Sequence, residues 1–170
     1  MIRNTTDMRL PTLALTLWLA ALPAASVAAE TALETGQAFC KTRLASDDAA
    51  LRMLLSPSLV KIVEEAERRN AIIAEARPGE KPPFGDGLPY QSFQDHAPGC
   101  TPGTVEEDAN GAEIEIRYSF PESLNSNWTD RLVLLPKADG YRIDDILFAN
   151  VANSTSEMGL RRVLFEAFDQ

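Results

Sequence analysis

The chain has 170 residues, with 16 Lys and Arg against 25 Asp and Glu, for a formal net charge of −9. An acidic balance argues against nucleic acid as a partner, because phosphates need clustered Lys and Arg, and against docking on anionic lipid. One His and two Cys fall short of a four-ligand structural zinc site, and no other pattern asks for a metal or a cofactor.

Residues 1–29 read as a secretory signal peptide. Arg3 and Arg9 make a short basic start, an apolar run follows from Leu10 to Leu22, and Pro23 leads into the small residues Ala24 to Ala29. The run is shorter than the ~20 residues a resident membrane helix needs. Cleavage is expected after Ala29 or Ala28. No Cys directly follows the run, so no lipid anchor is expected, and the cleaved chain would be periplasmic or secreted with no stable membrane anchor. Residues 30–170 then form one α+β domain of charge 14 − 24 = −10, since Arg3, Arg9 and Asp7 leave with the leader. An even pair of cysteines in an oxidising compartment predicts one disulfide, Cys40 to Cys100. The rival reading is a free nucleophilic cysteine working with His96.

Helical patterns come first. Thr31 to about Ala45 is helix-permissive, with Leu33, Phe39 and Leu44 near one face. Asp47 and Asp48 read as caps for a short segment from Ala49 to Leu55. Ser56-Pro57 restarts a helix that runs to about Ala76, with a 3.6-residue apolar stripe through Leu59, Ile62, Val63, Ala66 and Ile73. Pro78-Gly79 stops it. Residues 77–103 are rich in Pro and Gly and read as an ordered excursion over the surface, tethered by Cys100 and anchored by Phe84, Tyr90 and Phe93.

The remainder alternates. Thr104 to Glu107 predicts a short strand, and Asp108-Ala109-Asn110-Gly111 a hairpin turn. From Ala112 to Phe120, Ile114, Ile116, Tyr118 and Phe120 share one face, opposite Glu113, Glu115 and Arg117. Trp128 to Leu135 predicts a central strand, and Ala138-Asp139-Gly140 turns into Tyr141 to Phe148. The apolar phase slips within that last segment, which predicts a bulge near Asp144-Asp145. Ser156 is expected to cap a C-terminal helix carrying Leu160, Val163, Leu164 and Ala167. Helices followed by an antiparallel meander and a final helix make the class α+β.

The order of elements resembles the cone-shaped nuclear transport factor 2-like fold, also called a cystatin-like cone. Val133-Leu134-Leu135-Pro136-Lys137-Ala138-Asp139-Gly140-Tyr141-Arg142-Ile143-Asp144-Asp145-Ile146 is similar to the last hairpin of such domains. More narrowly, the chain resembles a family of exported bacterial proteins of unknown function. Phe93-Gln94-Asp95 and Gly159-Leu160-Arg161-Arg162-Val163-Leu164 carry that likeness. The resemblance implies N-terminal helices on a curved antiparallel sheet, and export; about four strands are visible here, where the larger fold often carries more, so the pocket is expected to be shallow. It transfers no catalytic residue.

Few patterns carry chemistry. His96 beside Asp95 is either a surface-loop histidine or a general base in a pocket. No Gly-x-Ser-x-Gly elbow is present for serine hydrolysis. Asp144 and Asp145 would share one side only at a bulge. Glu106 to Gly111 echoes a calcium loop but has Arg117 where the bidentate Glu belongs. Tyr118, Phe120, Trp128 and Tyr141 are either core or the lining of a pocket on the concave sheet face, with Arg117 or an Asp as its polar group. The sequence therefore supports a non-catalytic binding module for a protein partner or small ligand, for example an inhibitor or immunity protein against an envelope-acting toxin. Tyr90, Asp95, His96, Arg117, Tyr118, Trp128 and Asp145 are the candidate contact residues. The alternative is a small pocket enzyme using His96, Asp95 or Asp145 as acid or base.

Overall fold

The computed structural model describes residues 30–93, 96–149 and 158–169. The predicted signal peptide, Asp95 and Ser156 lie outside them. Four helices, α1 (Ala32–Leu44), α2 (Asp48–Leu54), α3 (Pro57–Ala76) and α4 (Leu160–Glu166), accompany four strands, β1 (Gly99–Glu107), β2 (Ala112–Ser119), β3 (Trp128–Lys137) and β4 (Gly140–Leu147). The strands form one antiparallel meander in the order β1-β2-β3-β4. The fold is therefore α+β, as the pattern predicts.

Local chemistry starts each helix. Thr31 and Glu34 form a reciprocal capping box at α1. Asp47 accepts from Ala50 N at 2.9 Å to begin α2. Ser56 accepts from Leu59 N at 3.1 Å, and Pro57 occupies the first turn of α3. The C-terminal helix differs from expectation: it begins at Leu160 behind Gly159, with no side-chain cap.

One face of the sheet holds the core. Ile114, Ile116, Leu132, Leu134, Ile143 and Ile146 are fully buried there, under Phe39 of α1 and Leu59 and Val63 of α3. The contact face of α1 departs from the predicted one. It runs through Ala32, Thr35, Gly36, Phe39 and Cys40, while Leu33 and Leu44 face outward. Small residues win because the helix lies close to the sheet. A Cβ on Gly36 would sit 2.7 Å from Ile114 Cδ1 and 3.1 Å from Pro102 Cβ. The predicted concave pocket is consequently filled, and Tyr118 and Trp128 are core residues.

The first strand is longer than predicted because Pro102 sits on an edge, where a missing N–H is tolerated. Its register shifts between Pro102 and Val105. On the far side, Asp144 is the extra residue: Val133 pairs with Asp145 and Leu134 with Ile143. The outer edge of β4 is covered by bridges from Leu55 to Ile143 and from Gly159 to Leu147.

A disulfide joins Cys40 on α1 to Cys100 on β1, Cα to Cα 5.3 Å, at a sequence separation of 60. Closing a loop of that length is worth about 4 kcal/mol in the chain-entropy account. The Cys40→Ser/Cys100→Ser variant is therefore expected to unfold in urea with about 4 kcal/mol less stability. An unchanged midpoint and slope would show that the crosslink contributes nothing.

Candidate functional site

The segment after α3 is an arm laid back over the helices. Positive-φ glycines, Gly79 and Gly87, turn it. Phe84 N donates to Asn70 Oδ1 at 2.8 Å, and Lys81 pairs with Asp86. The Phe84 ring meets Phe168 edge-on at 5.4 Å, and the Arg69 guanidinium lies 4.4 Å from the Phe168 ring centre. Further on, Tyr90 plunges into the core.

Between the arm and helices α2 and α3 lies a cleft of about 270 Å³. Asp48, Arg52, Glu67 and Asn70 give it polar walls, Phe84 and Leu88 an apolar one, and Tyr90 lines its depth. Arg52 and Glu67 form an ion pair, with side chains 35% and 43% exposed. That hydrogen bond raises the Arg52 pKa further above its ordinary value. Tyr90 is 2% exposed, and its hydroxyl has no hydrogen-bond partner among the described residues. Burial pushes the phenol up to about 12. A second hollow, about 400 Å³, lies at the tip of the β1–β2 hairpin and is lined by Glu106, Glu107, Asp108 and Glu113. There Asp108 Oδ1 accepts from the turn amides of Asn110 and Gly111 at 2.7 and 3.0 Å, so that carboxylate builds the hairpin.

Behind the cleft runs a buried polar line. Arg43 donates from Nη2 to Gln91 Oε1 at 3.1 Å, pairs with Asp48 at 3.3 Å, and lies 5.9 Å from the Tyr90 ring centre. Past Gln91, Asp130 is 1% exposed. It accepts from Ser92 N at 3.0 Å, Ala149 N at 2.9 Å and Trp128 Nε1 at 3.3 Å, and also from the Ser92 hydroxyl. Burial raises its pKa against the pull of those donors. Trp128 stacks on Tyr118 at 4.6 Å and receives the edge of Phe93 at 5.1 Å. The Tyr118 hydroxyl is buried near Arg43 without sound hydrogen-bond geometry, and burial raises its pKa, with Asp130 adding to the effect.

The sequence-derived candidates are distributed over the molecule. Tyr90 lines the cleft; Tyr118 and Trp128 meet in the core; His96 is exposed on the approach to β1. Arg117 lies on the open sheet face, opposite Tyr118, and pairs with Glu115 at 2.5 Å. Asp145 sits at the β4–α4 junction, where it accepts from Ile146 N at 2.8 Å and Arg161 N at 3.1 Å. Its neighbour Asp144 accepts from Ser56 Oγ at 2.6 Å, Ser58 Oγ at 2.8 Å and Arg161 Nη2 at 2.5 Å. The bulge thus brings both acids to Arg161, as structural anchors of α3 and α4.

Sequence reasoning passed over Asp130, Arg43, Arg52 and Glu67. Asp130 left a readable signal, an acid at a buried-phase position between Trp128 and Leu132. Arg52 and Glu67 left none, since each reads as an ordinary charge on a solvated helix face. No family model, curated protein or solved structure matches the chain.

Replacing Asp130 with Asn leaves donors facing an amide NH₂, and is expected to cost about 1–3 kcal/mol in urea unfolding; wild-type stability would contradict the anchoring role. Asp144 gives a pH test. Burial opposes ionisation, but the hydrogen bonds from Ser56 and Ser58 and the Arg161 charge outweigh it and lower its pKa below 3.8. A carboxyl depressed on folding stabilises above its unfolded pKa, and that stability is lost as pH falls through the folded value. Asp144→Asn should therefore cost about 1–2 kcal/mol at neutral pH, and the gap from wild type should close in acid below the ordinary Asp range. A gap independent of pH would contradict the assignment.

Proposed function

We propose that this chain is an exported, non-catalytic binding protein that engages a protein partner or small ligand through the arm after α3 and the cleft beneath it. The observation that carries this reading is the arm itself. Residues 77–93 contain no helix or strand, yet Asn70, Arg43, Asp130 and Phe168 hold them in one place against two helices, leaving a polar-walled cleft. A loop positioned on a rigid scaffold is where binding residues concentrate. The enzyme alternative has less support: His96 is exposed, and Asp145 is engaged by backbone amides. The four-stranded meander with α1 across one face is consistent with a small nuclear transport factor 2-like cone. Export rests on the leader-like first 29 residues, and the disulfide is consistent with it. Small size and acidity fit an inhibitor of an envelope-acting toxin as one version of the role.

The test uses immobilised protein and envelope extract of the producing cell. Wild type should retain one stoichiometric species. A Lys81→Asp/Asp86→Lys exchange, which keeps their pair but inverts the arm's charge pattern, should weaken retention while leaving the circular dichroism unchanged. Retention of nothing by either protein would overturn the reading.

A further inference from the structure

We propose that Asn110, at the tip of the β1–β2 hairpin, is a self-modification site that converts to aspartate and isoaspartate, and that Asp108 sets its rate. This stands apart from the binding-module reading. Of the chain's asparagines, Asn110 alone precedes a glycine. Loss of the side-chain amide begins when the next residue's backbone nitrogen attacks the Asn Cγ, and a next residue without a Cβ leaves that approach open. Asn110 is exposed, so water reaches its carboxamide. The fold also bars escape by substitution, since a Cβ on Gly111 would sit 2.1 Å from the Leu134 carbonyl oxygen of β3. The close passage of two backbones therefore keeps a labile pair of residues at this turn.

The step balances as a hydrolysis. Gly111 N gives its proton to solvent base and bonds to Asn110 Cγ, the Cγ–Nδ2 bond breaks, and ammonia leaves. Water then opens the succinimide ring. Breaking the new N–Cγ bond restores the backbone and leaves aspartate. Breaking the bond from Gly111 N to the Asn110 carbonyl carbon leaves isoaspartate, with the chain running through the former side chain. Nothing is oxidised or reduced. Asp108 stands against the first step. Its Oδ1 accepts from Gly111 N at 3.0 Å and from Asn110 N at 2.7 Å, so the attacking nitrogen must surrender a charge-assisted hydrogen bond before it reacts. Those amides, Asn110's first, hold the Asp108 carboxyl below its ordinary range, which makes it a poor acceptor for the departing proton. Glu106 and Glu107 of β1 and Glu113 of β2 line the same hollow, and their charges oppose an amide anion. From β3 only the uncharged Val133, Leu134 and Leu135 line it. The product sets another carboxylate beside these acids. Isoaspartate also lengthens the backbone by one carbon between the two amides that Asp108 spans.

The test incubates the purified, folded protein at mildly alkaline pH. Residue 110 is followed by peptide-mapping mass spectrometry, with an isoaspartyl methyltransferase assay for the isomer. First-order conversion at Asn110 is expected, while Asn70 and Asn127, whose side-chain oxygens accept backbone amides, stay amidated. Asp108→Ala should convert about tenfold faster, the change that loss of one such hydrogen bond gives. Asp108→Ser, which keeps an acceptor oxygen and drops the charge, should fall between the two, and it carries the comparison if circular dichroism shows the Ala variant unfolded. A wild type that holds its amide while either variant loses it would show the same control at a larger ratio. Persistence of the amide in all three proteins, or faster conversion at another asparagine, would overturn the site. Equal rates in wild type and a folded Asp108 variant would overturn the role of Asp108.

Discussion

The covalent span from Cys40 to Cys100 is the constraint on which the arrangement depends. It closes a loop that contains α2, α3 and the arm. The cleft residues Asp48, Arg52, Glu67, Asn70, Phe84, Leu88 and Tyr90 all fall inside that loop. One end is fixed on α1, which lies against the sheet through Gly36. The other is fixed on β1. Between those ends α3 is held by its Ser56 cap and by core contacts of Leu59 and Val63. The arm has no helix or strand of its own, so its shape is inherited from these supports.

A second tier of order comes from polar groups inside the core. Asp130 gathers the amides of Ser92 and Ala149, tying the end of the arm to the end of β4. Neither segment has sheet partners there, and a buried carboxylate is one of the few groups able to receive several amides at once. Asp144 and Arg161 do the same work at the opposite junction, locking the start of α3 to α4. In both places a charge inside or near the core holds together backbone that lacks a ladder.

Much of the fold was legible in the sequence because local chemistry and burial agreed. Ser56-Pro57 set the start of α3, Asn110-Gly111 set the hairpin, and the phase slip after Ile143 marked the bulge. Apolar size alone points to the wrong face of α1. The helix instead approaches through Gly36 and Thr35, and closeness outweighs bulk. The extent of β1 was hidden by its proline, which reads as loop until an edge position is known. The cleft was illegible for a different reason. Arg52 and Glu67 lie 15 residues apart on separate helices, and only the tertiary fold brings them to the same Tyr90.

The two sheet borders, finally, limit how the domain can meet other chains. Along β1 a proline removes one amide and an irregular register disrupts the row, while the entry to α3 and the residue before α4 occupy the β4 side. A visiting strand finds no continuous backbone to copy on either flank. Amyloid-like stacking and donor-strand exchange are both disfavoured, and molecular discrimination is left to side chains.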